Sequence, residues 1–229
     1  MFREDRLSIE VEFLYGTPTH DIMLYRLLNK MTHTKKPTSD SQHPTLIVLG
    51  SGGHTAEMCK IIRALMRSNK TGAIHYQPCY YLVASTDTMS RHKVNGTMSA
   101  LGGNISTESF INVPRSRKVG QSWFTTIFTT LWALLFSFWL VWCHRPKLVL
   151  CNGPGTCVPF CFAAYFWRLL GRLPPNAKIV FVESFCRVQT MSLSGKLLKP
   201  LVDLLVVQWP ALAKQHKKAK NVKYFGRLM

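Results

Sequence analysis

Carboxylates are the scarcest chemistry in this chain. Between positions 45 and 229 there are only five, Glu57, Asp87, Glu108, Glu183 and Asp203, against 23 lysines and arginines. The first 44 residues are balanced, with six residues of each sign, so the formal net charge of +18 belongs to the remainder. No DxD triplet occurs. No CxxC pair occurs among the seven cysteines, which weakens any zinc reading, and no GK[ST] follows a glycine-rich turn, which excludes a P-loop. No secretory signal opens the chain, so an odd number of cysteines reads as free thiols in a reducing compartment. Cys157 and Cys161, four apart, read as small buried hydrophobes. No repeat of solenoid period is present. Charged residues are only 17% of the chain and apolar ones 47%, which excludes a disordered chain.

What is present is a block of alternating strands and helices. Residues 1–44 read as an appendage of mixed charge with a short amphipathic helix near 21–31, then a polar linker over 32–44. From Thr45 onward, short continuous apolar runs at 45–50, 80–85, 110–114, 147–151, 178–183 and 203–208 predict buried strands. Helical patterns separate them at 55–69, 88–95, 122–143, 156–170 and 194–202. Unbroken apolar strands between helices predict an α/β domain, a Rossmann-like parallel sheet with helices on both faces, over 45–229.

Residues 123–143 hold no charge and are long enough to span a bilayer. Spanning would put the strands before and after on opposite sides and forbid one sheet. Thr126, Thr129, Thr130, Ala133 and Ser137 form a small-polar stripe at helical spacing, which predicts a crossover helix with that stripe on the sheet. Its other face, with Trp123, Trp132, Phe136 and Trp139, either dips into a membrane interface or is buried; the aromatics and basic flanks favour the interface.

Two glycine-rich turns each follow a strand and precede a helix. The first is Gly50-Ser51-Gly52-Gly53-His54-Thr55. Its spacing is not GxGxxG, but its physics is that of an anion loop. The second is Asn152-Gly153-Pro154-Gly155-Thr156. Two such turns at strand C-terminal ends suit two linked phosphates. His54 is a candidate base, and its bland alternative is a packing histidine. Glu183, ending a strand, either binds sugar hydroxyls or orients a base, or else complements a helix dipole. Arg115 and Arg117 either face the phosphates or form a solvated rim. The charge invites nucleic acid, yet no RNA or DNA motif is present and the basic residues interleave with long apolar runs, so no nucleic-acid partner is expected.

The runs from Gly50 to Glu57, Val113 to Arg117, Leu150 to Pro159, Val182 to Ser184, Val207 to Leu212, and Gly226-Arg227 closely resemble the asparagine-linked glycosylation protein fourteen family. A weaker likeness extends to the N-terminal acceptor domain of the bacterial lipid-precursor N-acetylglucosaminyltransferase. The resemblance covers residues 45–229. It implies the N-terminal half of a split GT-B glycosyltransferase, a subunit of the enzyme that transfers N-acetylglucosamine from UDP-N-acetylglucosamine to dolichol-diphosphate-N-acetylglucosamine in N-glycosylation. The other half would be a donor-binding partner resembling asparagine-linked glycosylation protein thirteen, with UDP-N-acetylglucosamine at the subunit interface. The implied location is the cytosolic face of the endoplasmic reticulum membrane, continuous with the nuclear envelope. No cofactor and no metal are implied.

Carried onto this sequence, Gly52, Gly53, His54 and Thr55 would line one diphosphate loop and Asn152, Gly153, Gly155 and Thr156 the other. His54 and Glu183 would be catalytic. Tyr224, Phe225, Gly226, Arg227, Leu228 and Met229 would hold the partner. Family members usually open with a membrane-spanning helix, which residues 1–44 lack. Either anchoring rests on 123–143 and the basic face, or the natural start differs from the one given. The competing function is a non-catalytic recruiter that only brings the partner to the membrane.

Overall fold

Seven strands, six of them from apolar runs, pair into one parallel sheet. A computed structural model describes residues 43–70, 76–103, 105–115, 122–153 and 155–227. The expected helix near 21–31, Pro154, Arg117, Leu228 and Met229 lie outside the described residues. The strands are β1 (Thr45–Val48), β2 (Cys79–Ala84), β3 (Phe110–Val113), β4 (Leu148–Asn152), β5 (Lys178–Val182), β6 (Leu204–Val207) and β7 (Val222–Tyr224). The helices are α1 (Gly53–Lys70), α2 (Thr88–Ser99), α3 (Trp123–His144), α4 (Cys157–Leu169), α5 (Leu193–Leu198) and α6 (Pro210–Gln215).

The strand order is β3-β2-β1-β4-β5-β6-β7, with every pairing parallel. Successive strand side chains point to opposite faces. Ile47, Leu49, Val83, Leu150 and Val182 therefore pack with α1 and α2 through Met58, Ile62, Leu65 and Val94. Leu46, Val48, Val149, Cys151 and Phe181 pack on the other face with α3, α4 and α5 through Leu140, Phe160, Cys161 and Leu198. Covering on both faces is why the central strands are apolar at nearly every position. Cys151, Cys157 and Cys161 are fully buried members of that second layer.

The chain turns from building leftward to building rightward between β1 and β4, which are hydrogen-bonded neighbours. A parallel sheet opens a crevice at such a switch point, at the carboxyl ends of its strands. The two glycine-rich turns leave β1 and β4, so they face each other across it.

Helix α3 connects β3 to β4, which lie in the same sheet, so it acts as a crossover. Its 126–144 stretch is long and apolar enough to cross a membrane by length and composition, yet little of it is buried. Ala133 and Ser137 of the small-residue stripe are buried, and Ser137 Oγ donates to Ala133 O at 2.7 Å. Thr126 and Thr129 are half-buried and Thr130 is exposed. Its main neighbour is α4 rather than the sheet, which it meets through Leu140 and Val141 near its end. Trp132 and Trp139 are 63% and 60% exposed, as an outward face requires, whereas Phe136 is half-buried against Trp139. The side chain of Trp123 lies outside the described residues.

Candidate functional site

The first turn owes its shape to Gly52, whose φ of +67° is unfavourable for other residues. It delivers His54 into the first turn of α1, where backbone N–H groups lack helical acceptors. The second turn uses Gly153 at φ +78°, and here close approach matters as much as dihedral freedom. A Cβ on Gly153 would lie 2.3 Å from His54 Nδ1. The glycine of one loop is thus what allows the histidine of the other to reach it.

His54 Nδ1 lies 3.1 Å from Asn152 Oδ1. Asn152 is fully buried, and its Nδ2 donates to Glu57 Oε2 at 2.8 Å. The other oxygen of Glu57 accepts the Phe185 N–H at 3.0 Å. Glu57 Oε2 also stands 3.7 Å from His54 Nδ1. The site is therefore a relay of three side chains, histidine, amide and carboxylate, anchored to the backbone just beyond β5. Burial works to raise the Glu57 carboxyl, but the contacts with His54, Asn152 and Phe185 outweigh it and hold it below its ordinary value. The His54 imidazole is raised above 6.5, foremost by Glu57 and against burial, with lesser help from Asn152 and Glu183. Such a ring is a somewhat stronger base than a free histidine, within reach of solvent at 28% side-chain exposure.

The remaining expected residues divide. Gly52, Gly53 and Gly155 are exposed at the crevice, and Thr156 is half-buried at the start of α4 with no side-chain cap bond. Thr55 departs from expectation. It is fully buried, and its hydroxyl bonds Gly50 O and lies 2.6 Å from Ser90 Oγ, so it ties α1 to α2 instead of facing a ligand. Asn152 likewise spends its side chain on the relay.

Glu183 departs too. It is fully buried, and its carboxylate accepts from Ser184 N at 3.1 Å, Ser192 N at 3.0 Å and Ser192 Oγ at 3.0 Å. A Cβ on Gly195 would lie 2.3 Å from Glu183 Oε2. The residue clamps the 184–195 loop, and Ser192 in turn caps α5 through Gly195 N. Both carboxylate oxygens are thus engaged within the domain. Arg115 follows β3, whose strand lies two strand spacings or about 10 Å from β1.

The C-terminal segment docks on its own domain. Tyr224 ends β7, Phe225 packs against the cluster on the α1–α2 face, and the Arg227 guanidinium stacks 4.0 Å from the Trp209 ring centroid. Trp209 stacks on Phe185 and donates its indole N–H to Phe185 O at 2.6 Å.

Two residues escaped the sequence reading. Glu57 carried a signal, since it stands three positions after His54 on a helix and is one of five acids in the domain. Lys93 of α2, whose Nζ reaches Gly52 O at 3.4 Å, carried none among so many cations.

Beside Gly155 an apolar groove of about 350 Å³ opens between α3 and α4, lined by Thr130, Leu134, Gly155, Val158, Pro159 and Phe162.

Comparison with known proteins names the relatives of this arrangement. The family model described as "Oligosaccharide biosynthesis protein Alg14 like" matches residues 45–228. The rat protein named UDP-N-acetylglucosamine transferase subunit ALG14 is 46% identical over 189 residues, covering 80% of this chain and 82% of that protein. Its human counterpart is 43% identical with the same coverage, and that of Schizosaccharomyces pombe is 44% identical over 82% and 84%. Among solved structures, MurG of Acinetobacter baumannii superposes with a TM-score of 0.51 at 13% identity, over 80% of this chain and 44% of that one. A UDP-N-acetylglucosamine 2-epimerase of Rickettsia bellii gives 0.51 at 11%, over 82% and 46%. At those identities the likeness is one of fold. The chain spans less than half of each structure, as one Rossmann-like half of a GT-B architecture does.

Proposed function

The chain belongs to the Alg14-like family of oligosaccharide biosynthesis proteins, and from this we infer that it is the acceptor-binding subunit of an N-acetylglucosaminyltransferase. Its acceptor is a lipid-linked diphosphate sugar, dolichol-diphosphate-N-acetylglucosamine, and its donor is UDP-N-acetylglucosamine brought by a separate partner subunit. The observation that carries this reading is the placement of His54 between two glycine-rich loops at the sheet's switch point. The exposed loop glycines and the first-turn N–H groups of α1 and α4 suit the two phosphates, and Lys93 adds a cation at the first loop. The groove beside Gly155 suits the hydrocarbon leaving the diphosphate.

The chemistry is an inverting displacement. The acceptor hydroxyl gives its proton to His54 Nε2 as its oxygen bonds the anomeric carbon of the donor. The bond from that carbon to the diphosphate breaks, and UDP leaves with the electron pair. A general base contributes about 10²–10⁴-fold to such a step. The outward face of α3 lies on the cytosolic leaflet of the endoplasmic reticulum. The C-terminal segment from Tyr224 to Arg227, held on Trp209, presents the domain edge to the partner.

The test is transfer from radiolabelled UDP-N-acetylglucosamine to a synthetic lipid-diphosphate-N-acetylglucosamine, with this chain, the partner, or both. Activity is expected only in the mixture, and His54→Ala should lower it at least about 10²-fold while the partner is still captured. Activity with the partner alone would reduce this chain to a membrane recruiter.

A further inference from the structure

We propose that Glu57 is a positioning residue, which through Asn152 holds the His54 ring in the tautomer that carries its proton on Nδ1 and its lone pair on Nε2. The catalytic consequence rests on the reading of His54 as base; the tautomer itself does not.

Donors and acceptors decide the tautomer. An ionised carboxylate only accepts. Glu57 Oε1 takes the Phe185 N–H and Oε2 takes a proton from Asn152. The Asn152 amide is thereby oriented with Nδ2 toward Glu57, which turns Oδ1 toward His54. Oδ1 also only accepts, so Nδ1 must donate. In a neutral ring the lone pair is then on Nε2, which has no hydrogen-bond partner among the described residues. The ring occupies the space that a Cβ on Gly153 would need, so the absence of that side chain admits it to Asn152. The Phe185 backbone fixes the carboxylate from behind. Among the described residues no other group is seen to supply this orientation: Glu183 acts on His54 as a lesser charge, and Lys93 lies at the exposed carbonyl of Gly52.

The consequence for Glu57→Gln is specific. The new amide must offer its oxygen to Phe185 N–H, which leaves its NH₂ facing Asn152. Asn152 must then turn its own oxygen toward residue 57 and its NH₂ toward His54. Nδ1 becomes the acceptor and the proton moves to Nε2. One exchange of oxygen for nitrogen thus converts a ring that accepts a proton from the crevice into one that donates to it.

The experiment is long-range ¹H–¹⁵N correlation on the full chain in complex with its partner, labelled at histidine, with His54 assigned by its loss in His54→Gln. Wild type should show a protonated Nδ1 and an unprotonated Nε2, titrating above 6.5. Glu57→Gln should reverse the two nitrogens and move the midpoint down. Transfer by Glu57→Gln should show kcat lowered about 10²-fold, KM for the acceptor little changed, and the acidic limb of the rate profile moved to lower pH. A protonated Nε2 in neutral wild type overturns the proposal without any variant. Unchanged nitrogens and an unchanged acidic limb in Glu57→Gln overturn it as well. Reversed nitrogens with unchanged transfer uphold the positioning and instead sink the reading of His54 as base.

Discussion

At Gly153 two constraints meet: a left-handed φ and a histidine ring in the volume a Cβ would need. Alanine there adds about 1–2 kcal/mol of backbone strain and displaces His54. Transfer should fall far more than stability, and comparison of melting with turnover separates the two. His54 also couples stability to pH. Its folded-state pKa is raised, so the stability it contributes is full below 6.5 and is lost as pH rises through the elevated folded value. The melting temperature of wild type should exceed that of His54→Gln most in mild acid, with the gap narrowing across neutrality. A gap that widens with pH would contradict the charge pairing with Glu57. The glycines were legible in the sequence because a tight turn is a local event. Glu57 and Thr55 were not, because their partners arrive from far along the chain: Asn152 lies 95 positions from Glu57, and Ser90 lies 35 from Thr55.

Among the elements, α3 and α4 carry exposed apolar side chains, Phe128, Leu131, Trp132 and Trp139 on one and Phe166 and Leu169 on the other, with Leu170 just past its end. Arg145 and Arg172 flank them, each guanidinium about 5 Å from the Trp142 ring. A tryptophan carries ~150–250 Å². Burying about half of that at ~25 cal/mol per Å² contributes about 2 kcal/mol. Trp132→Ser with Trp139→Ser should therefore weaken binding to anionic vesicles roughly a hundredfold or more, with little change in melting. Sedimentation with vesicles checks this, and undiminished binding would place the membrane contact elsewhere. The length and apolar character of α3 were plain from sequence, and so was its crossover role, since a single sheet cannot straddle a bilayer. Its reliance on α4 was not, because periodicity reveals an apolar face but not which neighbour covers it. Strand β7 escaped notice for the opposite reason: three residues, Val-Lys-Tyr, following a lysine-rich turn make no apolar run.

For the whole molecule, an all-parallel sheet with its switch point between β1 and β4 places both glycine loops at one crevice. That juxtaposition followed from the order of strands and helices, which is why fold and loops could be read together. The fate of Glu183 could not. Its position at a strand's carboxyl end is right for a ligand, but the loop beyond it folds back and takes both oxygens. The central claim is that the paired loops hold a lipid-linked diphosphate. Its most direct test is calorimetric titration of the full chain with a short-chain lipid-diphosphate-N-acetylglucosamine, alongside Gly53→Asp and Gly155→Asp. The account predicts saturable binding by wild type and loss in both variants, since a carboxylate in either loop repels the phosphates. Binding that survives both substitutions would contradict it.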